Sequence, residues 1–229
     1  MDGNQPPNSS SNTRVFAAAA VTCAIASAGA VALAQTGMIK IAIEKMAIGS
    51  APADFDFRRT GQGGPGQWAV VSDATTSSGR AIEQSSADRT DYRFPLAIYR
   101  PVSAKNVELS VRFKSMAGTI DRAGGIAVRV LDVDNYYVVR ANALEDNVRF
   151  YRVIKGRRTE LKGANTKVSG NEWHTLSLKA EDERVTITFD GKQLFTATDK
   201  AIAGAGKIAL WTKADSVTRF DRIEIKTLP

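Results

Sequence analysis

From residue 124 to residue 154 the chain reads GGIAVRVLDVDNYYVVRANALEDNVRFYRVI and alternates apolar with polar positions. Ile126, Val128 and Val130 alternate with Ala127, Arg129 and Leu131, and a DVDN turn follows at 132–135. Tyr137, Val139 and Ala141 then share one face, with Tyr136, Val138 and Arg140 on the other. After an LEDN turn, Val148, Phe150, Arg152 and Ile154 alternate with Arg149, Tyr151 and Val153. A period of two places successive side chains on opposite sides of an extended backbone, and β-branched and aromatic residues suit that pleated surface. With Asp/Asn turns between the runs, the stretch predicts three consecutive antiparallel strands.

The pattern recurs along the chain. Residues 106–115 (NVELSVRFKS) put Val107, Leu109, Val111 and Phe113 on one face. Residues 173–180 turn Leu176 and Leu178 inward, and 184–189 do the same with Val185, Ile187 and Phe189. Asp190-Gly191 is a hairpin turn of the kind that needs positive φ, and 192–198 returns from it. Further strands are expected at 68–71 with 80–84 as hairpin partner, and at 159–162, 206–212 and 219–226. Residues 92–99 carry Pro95, which cannot donate to a ladder, so an edge or bulged strand is expected there. A loosely alternating 38–48, with Ile39, Ile41 and Ile43, reads as one more short strand. The GQGGPG of 61–66 contains a literal G-x-G-x-x-G, but Pro65 interrupts it and no strand–helix unit surrounds it; it reads as a loop. No helical period persists beyond a turn or two. Some ten to thirteen strands with turns at this spacing predict an all-β sandwich, with Val128, Val139, Leu178, Ile187 and Leu210 between two sheets.

The first residues have a different pattern. Residues 15–34, VFAAAAVTCAIASAGAVALA, are uncharged, follow the lone cation Arg14 and end in Ala32-Leu33-Ala34. That is the form of an export signal cleaved before Gln35. Twenty residues could also just span a bilayer as a retained anchor, but the run is mostly Ala and includes Ser, Thr and Gly. The expected organisation is a signal peptide at 1–34, an N-terminal segment at 35–54 and one sandwich at 55–229, in a periplasmic or secreted protein with no stable membrane insertion after cleavage. Cys23 is the one cysteine and falls in the leader. The mature chain is therefore expected to work without disulfides, thiol catalysis or cysteine-bound metal. The formal charge is +7, from 31 Lys and Arg against 24 Asp and Glu. These cations are scattered rather than gathered in one tract, which points to a solvated basic surface and to no nucleic-acid partner.

Three segments carry a resemblance: GGIAVRVLDVDNYYVVRAN, NEWHTLSLKAEDERVTITFDGKQLF and GKIALWTKADSVTRFDRIEI. In this order, the W-H-x-L strand, the D-G-K hairpin and the W-T-K-A-D strand resemble the concanavalin A-like jelly roll of two antiparallel sheets. More narrowly, they are similar to DUF1080, also named 3-keto-disaccharide hydrolase, whose members are often labelled family 16 glycoside hydrolase or laminin-G-like. The resemblance covers 55–225. It implies the sandwich fold and leaves the function open among hydrolases, lectins and adhesive modules, because such folds host all three.

Glycosidase chemistry needs two carboxyl groups flanking the scissile bond. The E-x-D-x-x-E strand that supplies them in family 16 hydrolases does not occur in this sequence. The acidic groups Asp132/Asp134, Glu145/Asp146 and Glu181-Asp182-Glu183 all fall in predicted turns. His174, the single histidine, reads as structural rather than as a general base. No cofactor is required by these patterns. Asp132, Asp134 and Asn135 could form half of a calcium site or simply a β-turn.

The outward positions are the other candidates. If the predicted core face is right, Arg129, Tyr136, Arg140 and Asn142 point away from it, and Trp211 lies outward beside the inward Ile208 and Leu210. An exposed indole can stack on a pyranose face while guanidinium groups donate to hydroxyls or a carboxylate. The alternative is a merely polar face, with Trp211 covering a loop and Arg129 and Arg140 paired with Asp221 or Glu224. The sequence therefore leads to an exported domain that binds a carbohydrate across its concave sheet. Its alternatives are a hydrolase of keto- or ordinary glycosides and an adhesive module with an envelope-protein partner.

Overall fold

The computed structural model describes Met1 and residues 37–229, so the leader and its cleavage site at Ala34 lie outside the described residues. Fifteen strands are found among the described residues. They begin with β1 (Met38–Lys40), β2 (Phe55–Gly61), β3 (Trp68–Ser72), β4 (Arg80–Gln84) and β5 (Arg93–Ala104). Next come β6 (Val107–Ala117), β7 (Ala123–Asp132), β8 (Asn135–Asn142), β9 (Asn147–Ile154) and β10 (Arg157–Asn165). The chain closes with β11 (His174–Glu181), β12 (Arg184–Phe189), β13 (Lys192–Thr198), β14 (Gly206–Trp211) and β15 (Val217–Thr227). The one helical element described is a single 3-10 turn, Ile43–Lys45.

Every pairing is antiparallel, and the strands divide into two sheets. One runs β13-β12-β11-β6-β15-β4-β3, with β1 added against β15; the other runs β10-β9-β8-β7-β14-β5-β2. Their inner faces meet in one core that includes Val128, Val139, Leu178, Ile187 and Leu210, all buried as the alternation predicted. This is the jelly-roll sandwich.

Three local expectations change. Residues 55–61 form β2, an edge strand whose alternation was hidden by Asp56, Arg58 and Arg59 around the inward Phe55 and Phe57. The Pro95 strand is bulged against β14 as expected, but it is not an edge, because β2 and β14 flank it on both sides. Pro95 still accepts a bond from Thr212 N at 3.1 Å through its carbonyl. The 35–54 segment contributes β1 to a sheet and places Ile43 in the core.

The outer faces of the two sheets differ. That of the eight-stranded sheet carries paired charges: Asp73 meets Lys114 at 2.8 Å and Arg219 at 2.9 Å, Arg219 meets Glu83 at 2.6 Å, and Arg112 meets Asp221 at 3.4 Å. That of the seven-stranded sheet holds a second apolar cluster, with Phe94, Leu96, Ala127, Tyr136, Val138, Tyr151, Val153 and Trp211. An apolar layer outside the main core is the unusual feature of this sandwich.

Candidate functional site

The outer face of the seven-stranded sheet is built by register. Trp211 lies opposite Leu96 on β5 and Gly125 on β7; Gly125 lies opposite Arg140 on β8, and Arg140 opposite Arg149 on β9. Directly paired residues project to the same side of a sheet, so one row crosses five strands from Leu96 to Arg149. Gly125 makes room in that row, since a Cβ there would come within 2.8 Å of Val139 O and 3.0 Å of Trp211 Cε3.

Trp211 forms the floor. It is fully buried, stacks on Phe94 at 5.3 Å and donates from Nε1 to Tyr136 Oη at 3.4 Å. Tyr136 is equally buried, hydrogen-bonds Thr60 Oγ1 at 2.9 Å, and has its phenol pKa pushed up to about 12 by burial. The alternation put both residues on the correct face, but neither ring is exposed for stacking on a ligand. The expectation of an outward tryptophan is thus corrected: this face has its own packed layer, and the aromatics belong to it.

Above the floor lie cations. Arg158 on β10 places its guanidinium carbon 4.9 Å from the Phe94 ring centre, 4.4 Å from Tyr151 and 5.9 Å from Trp211. Its backbone N–H donates to Tyr92 Oη at 2.9 Å, and that hydroxyl donates to Gly156 O at 2.9 Å. Arg140 lies over Tyr151 at 5.8 Å. It donates to Glu145 Oε2 at 2.7 Å, to Tyr151 Oη at 3.2 Å and to Asn147 Oδ1. Asn147 in turn donates to Glu145 at 3.0 Å. Burial works to raise the Glu145 pKa, but Arg140 and Asn147 outweigh it and hold the carboxyl below its usual range.

The W-T-K-A-D string of residues 211–215 completes the site. Lys213 bridges Asp91 at 2.7 Å and Asp121 at 3.1 Å. Asn142 donates to the other Asp121 oxygen at 3.1 Å. Burial pushes the Asp121 carboxyl up while Lys213 pulls it down, and burial wins. Asp215 fixes the loop that presents Asp121, because its carboxylate accepts the backbone N–H groups of Thr119 (2.8 Å), Ile120 (3.0 Å) and Asp121 (3.0 Å). Arg93, fully buried, pins the GQGGPG loop alongside by donating to Gly64 O at 2.7 Å, Pro65 O at 2.8 Å and Ala214 O at 2.6 Å. That loop is a structural element held by a side chain.

Of the expected residues, Tyr136, Arg140, Asn142 and Trp211 are therefore gathered on one face. Arg129 is not. The β7–β8 register breaks after Val128, and Arg129 takes φ +49°. The bulge turns its side chain to the inner side, where it donates to Lys105 O and Ile202 O, each at 2.8 Å, and to Asp182 O. The same shift moves Val130 from the expected core into the outer cluster. Neither Arg129 nor Arg140 pairs with Asp221 or Glu224; those carboxylates meet Arg112 and Lys40. Asp132 spends its carboxylate on the turn, accepting from Asp134 N at 2.7 Å and Asn135 Nδ2 at 2.8 Å. Asn135 Oδ1 accepts from Lys155 N at 3.1 Å. These bonds are those of a β-turn, the other reading of Asp132, Asp134 and Asn135. Among the described residues no group of three or more His, Cys, Asp or Glu side chains is arranged around a cation position. His174 is structural, bonded to Asp190 Oδ2 at 2.7 Å and Ser169 O at 3.1 Å. Reading the sequence passed over Asp91, Asp121, Glu145, Arg158 and Lys213 as site residues. The W-T-K-A-D string held a signal for Lys213, but the others come together only through pairing.

A sequence profile described as galactocerebrosidase, C-terminal lectin domain, matches residues 34–228. The chain belongs to that family. No curated protein sequence matches it. Among solved structures, the carbohydrate-binding module CBM66 from Bacillus subtilis superposes with a TM-score of 0.57 at 21% identity, over 75% of this chain and 95% of that one. The Bacillus licheniformis beta-glucanase gives 0.52 at 13% identity, over 80% and 96%. The exoplasmic/lumenal domain of VIP36 in its Ca2+/Man-bound form gives 0.53 at 13% identity, over 76% and 83%. At these identities the similarity is one of fold. The family member described here thus shares a lectin- and glucanase-type sandwich. Among the described residues, no helix is long and apolar enough to cross a membrane.

Proposed function

We propose that this lectin-domain relative binds a carbohydrate on the outer face of its seven-stranded sheet, around Arg140, Glu145, Asp91, Lys213 and Arg158. The observation that carries this reading is the Arg140–Glu145–Asn147 constellation above a buried aromatic floor. It presents fixed charged donors and acceptors at a half-exposed surface, with Glu145 47% and Asp91 73% exposed. Sugar hydroxyls both donate and accept, so a cluster that mixes carboxylate oxygens with guanidinium and ammonium hydrogens can bracket a vicinal pair. The family's lectin description and the sandwich shared with CBM66 support the same reading.

The test is a glycan-array screen of the chain lacking residues 1–34, followed by titration of each hit. Glu145→Gln, folded at the titration temperature, should weaken binding by about tenfold, the usual effect of losing a charge-assisted hydrogen bond. Unchanged affinity for every hit would place the sugar elsewhere.

The hydrolase alternative, which the DUF1080 likeness would bring, is distinguished by release of reducing sugar from any bound glycan. An adhesive module would bind no glycan and would retain an envelope protein instead. Export belongs to the same proposal: material recovered from the cell envelope or medium should begin at Gln35. A chain retaining Met1 in the membrane fraction would overturn export.

A further inference from the structure

Charge on the outer face is unevenly compensated. Arg140 is balanced by Glu145 at 2.7 Å, and Lys213 by Asp91 at 2.7 Å and Asp121 at 3.1 Å. Arg158 lies in the middle of the same face on three aromatic rings and enters no ion pair among the described residues. Its Nη1 is buried without any hydrogen-bond partner, and so is the neighbouring Arg140 Nε. A guanidinium is always charged, and a buried N–H left unpaired costs free energy comparable to a lost hydrogen bond. Stacking on rings occupies the flat faces of the group, and the half-exposed remainder of its in-plane N–H edge also has no hydrogen-bond partner among the described residues. An edge of that kind matches one chemical group best: a planar carboxylate, which can accept two parallel N–H bonds.

We infer that the site selects acidic saccharides, with the carboxylate of a hexuronic acid taken by Arg158 and the ring hydroxyls by Glu145, Asp91 and Lys213. The inference rests on the carbohydrate reading above and adds the ligand class. It also assigns different work to the two arginines. Arg140 is already neutralised and organises the hairpin acceptors, whereas Arg158 is the cation that remains to be matched. The carboxylates at the rim, Glu145 and Asp91, are held at ion-pair distance by Arg140 and Lys213, and Arg158 acts on Asp91 only from beyond that distance.

The test uses the chain lacking residues 1–34 and two matched series of probes: oligogalacturonates and oligoglucuronates, and the same oligosaccharides with their carboxyl groups reduced to neutral alcohols. Calorimetric titration should show the acidic series binding about ten- to a hundredfold more tightly, the effect of one charge-assisted bidentate contact. The preference should shrink as salt is raised, because part of it is Coulombic at a half-exposed site. Arg158→Gln should abolish the preference, bringing the affinity of the acidic series down to that of the reduced series in the same variant. Arg158→Lys should keep a smaller preference, since an ammonium supplies charge without the fork. The melting temperature of each variant shows whether it is folded, and the wild-type preference is read independently of either. Equal binding of acidic and reduced probes by the wild-type protein would overturn the acidic-ligand inference and leave carbohydrate binding intact. A folded Arg158→Gln that still prefers the acidic series would overturn it too. Failure to bind any member of either series or of the array would overturn both readings together.

Discussion

Glu145 accepts from Arg140 at 2.7 Å across the β8–β9 hairpin, with the arginine side chain 5% exposed and the carboxylate 47% exposed. The pair spans the boundary between the buried aromatic layer and solvent. Removing the carboxylate leaves a nearly buried cation with only Asn147 and Tyr151 as partners, and an uncompensated buried charge is costly. A double-mutant cycle of Glu145→Gln with Arg140→Lys, read by urea denaturation, should give a coupling energy of about 0.5–3 kcal/mol. Strict additivity would show that the pair does not hold the hairpin.

The aromatic floor should behave as core. Trp211→Ala removes a ring packed on Phe94 and a donor to Tyr136, so it should destabilise the domain by about 3–5 kcal/mol in equilibrium unfolding. Gly125→Ala should also destabilise, because its Cβ would push against Trp211 and Val139 O. A variant at Trp211 that melts with the wild type would mean the layer is only loosely packed.

Between the sheets, Leu178→Ala and Leu210→Ala each delete a fully buried side chain from opposite walls of the main core. Each should cost about 2–5 kcal/mol. They lie on different sheets, so similar losses at the two sites would show that both walls contribute. A near-neutral result at either would argue against its packed position.

Acid should unfold the protein through specific carboxylates. Burial works to raise the Asp73 pKa, but Lys114, Thr75 and Arg219 outweigh it and hold the carboxyl far below its usual range. Burial is likewise outweighed at Asp215 by the backbone donors Asp121, Thr119 and Ile120. A carboxyl with a depressed folded pKa contributes stability that is fully present above its unfolded pKa of about 3.9 and is lost as pH falls toward the folded value. Urea midpoints should therefore hold near neutrality and drop below about pH 4. Asp73→Asn should lower the unfolding free energy at neutral pH, by about 3–5 kcal/mol for a broken buried pair, and flatten the acid limb. An acid limb as steep as that of the wild type would assign the loss to other carboxylates.

What the sequence determined by itself is the sandwich and the faces of its regular strands. Alternation in β6, β8, β9, β11 and β12 assigned each side chain to a side, because the two-residue period is a property of the local backbone alone. It correctly put Trp211 and Arg140 opposite the main core. It could not say whether that opposite side was wet. Trp211 is buried because Phe94 from β5 and Arg158 from β10 reach it across the sheet, and those strands are distant in the chain.

The tertiary structure alone decided the rest. Arg129 was misassigned because a single register break with φ +49° inverts the phase of the strand beyond it, and no residue type in VRVLD announces it. β2 was missed because charged residues occupy the solvent side of an edge strand. The candidate site is assembled from Asp91, Asp121, Arg140, Glu145, Arg158 and Lys213, residues of five separate segments. Its chemistry depends on which cation finds which carboxylate, and that is set by strand order, which local periodicity does not encode. Arg158 illustrates the point: in the sequence it is one of two arginines in an ordinary G-R-R turn, and only the sheet reveals that, unlike Arg140 and Lys213, it makes no ion pair with the described residues.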